Sequence, residues 1–397
     1  MIREGLRVNK ERLWTKDFIT VGVINFLFCL IFYLLMVVTA PYAVDKFHAS
    51  TSIAGLVSSI FIIGILVGRL GTGHVIEDIG RKRVLILGTI SLIITSALYF
   101  AAVSLPLLII IRLLHGLTFG IASTATGTIV AHVIPPDRRG EGIGYYSMST
   151  ILAAAIGPFA GMLLMQHTDF RMIFIITSLI PVIGLGTSFV VGEPDHPLRR
   201  DHGKGVTRFH ISTFLEFEAL PISIIILVIG AGYSVLLVFL SLYARHIHLE
   251  EAASLFFLVY AATVLISRPF SGRLLDTKGA NFVVYPCLSL FAIGMLFFSR
   301  AGHGLFLLLA AVIIGLGYGN FLSCAQAISI KTVPPHRLGL ATSTYFICLD
   351  LGFGVGPYLL GALVPFTGYR GLYMLVALMI LATMVLYHFL HGKKAVA

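Results

Sequence analysis

Charge is what this chain has least of. Only 12% of its 397 residues are Asp, Glu, Lys or Arg, about half the share usual in soluble domains, and too few to cover a surface facing water. Cysteine is scarce as well. The four present (Cys29, Cys287, Cys324, Cys348) stand apart in apolar runs, without a CxxC spacing or a Cys/His cluster, which argues against a disulfide framework and against a metal site. No nucleophile–base pair and no phosphate-binding glycine loop can be found, so neither an enzyme nor a cofactor is expected. A cleavable leader is not expected either, because the first seventeen residues are charged and the apolar run behind them is too long for a signal core.

What the chain does have is apolar length. Apolar residues make up 57% of it, and the mean hydropathy is +0.96. A spanning helix takes roughly 20 such residues. Reading runs between charged or Pro/Gly breaks gives twelve segments, at 18–44, 52–75, 84–104, 107–133, 142–166, 172–191, 217–243, 252–275, 282–299, 305–330, 338–366 and 372–390. The expected fold is all-α and membrane-integral, with twelve transmembrane helices. Of the 28 lysines and arginines, 20 fall in one set of connections and termini and five in the opposite set, while Arg69, Arg112 and Arg268 lie within segments. That asymmetry places both termini in the cytoplasm. It also explains the net charge of +10 without a nucleic-acid partner.

Sliding the chain against itself by 199 residues brings its punctuation into register. Arg69 falls on Arg268, Gly80 on Gly279, Gly116 on Gly315, and Gly157-Pro158 on Gly356-Pro357. The chain therefore reads as a duplication: a cytoplasmic segment 1–17, a six-helix bundle 18–191, a cytoplasmic linker 192–216, a second bundle 217–391 and a tail 392–397. Two such halves related by an axis along the membrane normal suit a rocking transporter with its cavity at their interface.

The second connection reads Gly73-His-Val-Ile-Glu77-Asp78-Ile-Gly80-Arg81-Lys82-Arg83. With it, the chain resembles the major facilitator superfamily over essentially its whole length, and in particular that family's twelve-span drug and metabolite antiporters. Glu77 stands where the family has Asp, and Asp78 departs from its usual Arg. Asp276 keeps the acid in the second-half copy. The resemblance implies that these residues latch one face closed. Gly73 would allow close helix approach and Gly80 a tight turn.

Arg112 and His115 resemble the family's Arg-x-x-Gln-Gly pattern in the fourth span, which implies proton coupling or substrate contact. A charge at that depth costs about 2.5–3.5 kcal/mol on insertion scales and is rare. His115 reads equally as a hydrogen-bonded core residue. Gly157-Pro158 with Gly161 resembles the exporters' Gly-Pro motif, and Gly356-Pro357 repeats it; each proline removes a backbone donor and bends its helix.

Asp350, twelve residues into the eleventh span, is the third expected coupling residue. Its repeat equivalent is Ile151. The alternative is a structural acid bound to neighbouring hydroxyls or to Arg112. By the same resemblance the first, fourth, seventh and tenth spans line the cavity. The candidates there are Asn25, Tyr33, Thr118, Tyr233, Ser234, Tyr318, Asn320, Ser323 and Gln326. A mostly apolar pocket with a few polar groups suits an uncharged or amphipathic organic molecule, and Arg112 would tolerate an anion. The expected activity is proton-coupled efflux of drug-like or metabolite cargo by a monomer in a bacterial inner membrane. An importer of sugar or organic acid on the same fold is the alternative. The expected partners are a small-molecule substrate, protons and the lipid bilayer.

Overall fold

A backbone in lipid has to satisfy its own polar groups, so a chain this apolar must become helical or close into a barrel. The structure, a computed structural model, describes residues 12–135, 138–192, 215–334 and 337–393, and among these there is no strand. Among the described residues twelve helices are long and apolar enough to cross a membrane. They are α1 (Lys16–Phe47), α2 (Thr51–Ile79), α3 (Arg81–Ala97), α4 (Leu105–Val133), α5 (Arg139–His167) and α6 (Phe170–Ser188), then α7 (Leu220–His246), α8 (Glu250–Lys278), α9 (Ala280–Ser299), α10 (Gly304–Lys331), α11 (Leu338–Gly361) and α12 (Val364–Gly392). Most of the expected linker, with residues 1–11 and 394–397 of the termini, lies outside the described residues.

Local chemistry marks the boundaries. Thr15 and Asp169 cap α1 and α6 by accepting from the backbone N–H groups of Phe18 and Met172, which satisfies donors that a helix start leaves free. Gly80 turns between α2 and α3 at φ 99°, and its repeat mate Gly279 turns between α8 and α9 at φ 84°; both lie where a Cβ is disfavoured. Two features depart from expectation. Residues Gly315–Gly319 form a π turn inside α10. The eleventh span ends at Gly361 rather than near 366, and a second break follows at Gly368, where φ is 66°.

Helix pairing repeats from one half to the other. In the first half α1 packs on α5, α2 on α4, and α3 on both α4 and α6; in the second α7 packs on α11, α8 on α10, and α9 on both α10 and α12. The seams between halves follow the same symmetry, with α2 against α11 and α5 against α8.

Among the described residues, hydrogen bonds and close approaches between the halves gather toward one face. Opposite the face where α1 begins, Arg245 pairs with Asp45 at 2.8 Å. There too, Ser52 donates to the Tyr358 carbonyl and Gln166 to that of Glu250, and Gly55 sits against the Pro357 carbonyl with no room for a side chain. The other face is called basic for its lysine and arginine excess.

Candidate functional site

Between the halves lies a cavity of about 580 Å³. Its lining extends to Ile143, near the start of α5, and Thr342, near the start of α11, so it opens toward the basic face. Tyr33 and Tyr146 stand on the first-half wall, and Tyr233, Tyr260, Tyr318 and Tyr345 on the second. Tyr233 and Tyr318 stack with ring centroids 3.9 Å apart and planes within 10°. Tyr318 is carried by the π turn of α10, an irregularity that often marks functional positions. On the first-half wall Asn25 donates to Ser149 at 2.7 Å and Thr150 at 3.1 Å, fixing α1 against α5. Tyr146 donates to Thr126 and Tyr345 to the Leu322 carbonyl.

The charges of the wall are two arginines, Arg69 on α2 and Arg268 on α8. Arg69 pairs with Asp350 of α11 at 2.7 Å, bridging the halves. Among the described residues Asp350 is thus held by Arg69, not by Arg112 or by hydroxyls.

Six-helix halves that pair alike and enclose a central cavity are matched by the comparisons with known proteins. The profile of the Major Facilitator Superfamily matches residues 21–299 and 250–396. The chain belongs to that superfamily. The superfamily's members are transporters, not enzymes. The staphylopine export protein of Staphylococcus aureus is 21% identical over 85% of this chain and 87% of its own. The multidrug resistance protein MdtG of Salmonella arizonae is 24% identical over 82% and 81%. Among solved structures, a bacterial homolog of the human lysosomal transporter Spinster, inward-facing and occupied, shares the fold. Its TM-score is 0.80 at 14% identity, covering 95% of this chain and 96% of that one.

The superfamily motifs are placed unevenly with respect to the cavity. Asn25, Tyr33, Tyr233, Tyr318, Ser323 and Gln326 line it as expected. Thr118 instead faces Thr95 at 2.9 Å. Ser234 bonds the Ala231 carbonyl. Asn320 is held by Ser267, Ser271 and the Leu316 carbonyl. Each of the three turns toward a neighbouring turn or helix because a hydroxyl or amide facing lipid-like packing must find a partner.

Arg112 and His115 are likewise away from the cavity, both with 0% exposure. Arg112 donates to the carbonyls of Val57 and Ser58 at 2.9 and 2.7 Å and to the Tyr99 hydroxyl at 3.2 Å. Its guanidinium lies 4.6 Å from the centroid of Phe61. His115 sits between Ser96 and Tyr99 at 3.2 and 3.0 Å. Carbonyls have a second lone pair to offer a guanidinium, and that makes the buried charge tolerable without a carboxylate. Neither side chain lines the cavity or touches Asp350, and His115 takes the hydrogen-bonded core position that was its alternative reading.

In the superfamily's loop motif, Lys82 donates to the carbonyls of Phe189 and Val191, tying α3 to the end of α6. Asp276 pairs with Lys331 at 2.6 Å, tying α8 to α10. Both ties stay within one half. Asp78 is exposed, and the side chain of Glu77 lies outside what is described. A Cβ at Gly73 would meet nothing within 4 Å, so the expected close approach there is absent. At the Gly-Pro motifs the approach is real. A Cβ at Gly157 would come within 2.8 Å of the Tyr33 Cβ, and one at Gly356 within 2.7 Å of the Ala231 carbonyl.

Arg69, Arg268, Tyr146, Tyr260 and Tyr345 are wall residues absent from the sequence candidates. A signal for the arginines existed: they are charges inside spans that the 199-residue offset places on each other, whereas Arg112 falls on Ala311.

Proposed function

We propose that the chain is a proton-coupled exporter of a small organic solute, working by alternating access in a bacterial cytoplasmic membrane with both termini in the cytoplasm. The observation that carries this reading is the Arg69–Asp350 pair, which joins α2 to α11 across the halves beside the cavity. While Asp350 is ionised, the pair holds that seam. Protonation of Asp350 removes the attraction and leaves Arg69 without its counter-ion, so loading a proton and loosening the seam are one event. On the far face the seam is held by Arg245–Asp45 and close glycine packing, contacts that must open when the cavity turns outward. Support for export comes from the Gly157-Pro158 motif and from the two relatives named for export and multidrug resistance. The 20-to-5 distribution of basic residues supports the orientation.

Proteoliposomes with an imposed pH gradient test the proposal. Solute should move opposite to protons, and Asp350→Asn should lose gradient-driven movement while keeping downhill exchange. Accumulation of solute in the direction of proton flow would establish symport instead. Full pH-driven transport by Asp350→Asn would remove Asp350 from the coupling.

A further inference from the structure

The duplication makes the two seams between the halves comparable position by position. Where α2 meets α11, Arg69 has Asp350. Where α8 meets α5, the equivalent arginine is Arg268, and the residue equivalent to Asp350 is Ile151. Both Arg268 and Ile151 line the cavity. Among the described residues Arg268 makes no ion pair, and the carboxylate nearest by chain position, Asp276, is engaged with Lys331 at 2.6 Å. Among the described residues that line it, the cavity has two guanidiniums and no Asp or Glu. One arginine of the symmetric pair is neutralised by the protein itself. The other faces the cavity beside the tyrosine wall, with a hydrocarbon where its partner would stand.

We infer that the cargo supplies the missing acid: Arg268 is a binding site for a carboxylate on the solute, and Tyr233, Tyr260 and Tyr318 receive the attached aromatic or apolar body. A guanidinium in surroundings of reduced polarity gains most from an ionised acceptor, and its planar fork matches a carboxylate's two oxygens. The Tyr233–Tyr318 pair, stacked face to face, offers ring edges to an aromatic or apolar body. This inference rests on the transport reading above and narrows its substrate class to organic carboxylates.

The purified full-length protein in detergent is titrated with 4-phenylbutyrate, its amide 4-phenylbutyramide and the amine 4-phenylbutylamine, and with indole-3-acetate and its amide, binding being followed by calorimetry. The parent should prefer each carboxylate to its amide by at least about tenfold, and should disfavour the amine. Arg268→Ala should erase the preference, and Arg268→Lys should keep part of it. Ile151→Asp, on the other half, should erase it too, because a built-in acid then occupies the guanidinium; Ile151→Asn, which adds no charge, should keep the preference for acid over amide even where overall affinity changes. Two variants on separate bundles guard against simple misfolding, and an unchanged melting temperature for each confirms it. Equal binding of acid and amide, preference for the amine, a preference that survives both Arg268→Ala and Ile151→Asp, or no binding by any of the probes would overturn the inference. Vesicle transport separates its failure from that of the transport reading. If neutral or cationic solutes are exported unchanged by Arg268→Ala, only the carboxylate site falls. If a carboxylate bound through Arg268 is never moved, only the transport reading does.

Discussion

The two bundles pair their helices alike but are held together differently at the same place. In the first, Arg112, His115, Tyr99 and Ser96 form a buried hydrogen-bonded cluster between α2, α3 and α4. The offset carries these residues to Ala311, Ile314, Phe298 and Met295, all fully buried, and the α2 positions Val57 and Ser58 to Phe256 and Phe257. One bundle spans the gap with a guanidinium on backbone carbonyls, the other fills it with aromatic rings. A charge inside a membrane helix is therefore not by itself a mark of the transport path. Arg112 is sealed and Arg69 and Arg268 line the cavity, and what separates them is rotational position on the helix.

The sharpest way to break this comparison is to remove the strut. Arg112→Ala is expected to destabilise the first bundle by about 2–4 kcal/mol, from a cavity beside Phe61 and the loss of the donors to the α2 carbonyls. A lower unfolding temperature in detergent, with folded yield falling in step, would show it. Ala311→Arg, the mirror change, should fail to give folded protein, because the buried rings of Phe256, Phe257 and Phe298 fill the space a guanidinium would need. An Arg112→Ala protein that kept its stability and lost only pH-driven transport would reverse the assignment.

The cavity side of the comparison is sharpened by Asp350→Asn. Neutralising the acid should leave stability within about 1 kcal/mol, since the pair is partly open to solvent and such pairs contribute little; Arg69 and Asp350 have 39% and 18% exposed side chains. The effect should fall on transport, as a flattened pH dependence. His115→Gln should do the reverse. It keeps hydrogen-bonding capacity toward Ser96 and Tyr99, so the pH profile of transport should match the parent's, at a cost of about 1 kcal/mol in stability. A shifted pH profile would return His115 to the coupling path.

The fold was legible because it follows from quantities that a sequence carries linearly: apolar length, charge asymmetry and a gap-free repeat. The Gly80 turn, too, needed only its residue type. The cavity lining was about two-thirds legible, because membership depends on which way a helix is rotated. Thr118 and Ser323 both belong to spans expected to line the cavity, yet one faces Thr95 and the other the cavity. The sealed position of Arg112 depends on the α2 carbonyls that offset its buried charge. Such carbonyls belong to every helix and leave no trace in residue type. The π turn under Tyr318 likewise needs packing against Phe291, Tyr260 and Cys287 to become visible.

The smallest predicted effects test whether glycine in a motif implies contact. Gly157 and Gly73 both lie in segments that resemble superfamily motifs, but their surroundings differ. A methyl group at Gly157 would meet the Tyr33 Cβ at 2.8 Å and the Leu34 nitrogen at 3.0 Å, and neither can retreat without moving α1. Gly157→Ala should therefore cost about 1–3 kcal/mol and shift Tyr33 at the cavity wall, weakening solute binding. At Gly73 a methyl meets nothing within 4 Å, and alanine favours a helix over glycine by up to about 1 kcal/mol. Gly73→Ala should thus leave thermal stability equal or slightly higher in the conformation that opens to the basic face. Its value lies in the other conformation: if Gly73 is needed for closing that face, the same variant will keep its melting temperature yet slow exchange between the two sides. A melting temperature that drops would instead show a neighbour at Gly73 in the resting state, and the loop motif would then make close contact even with the cavity open.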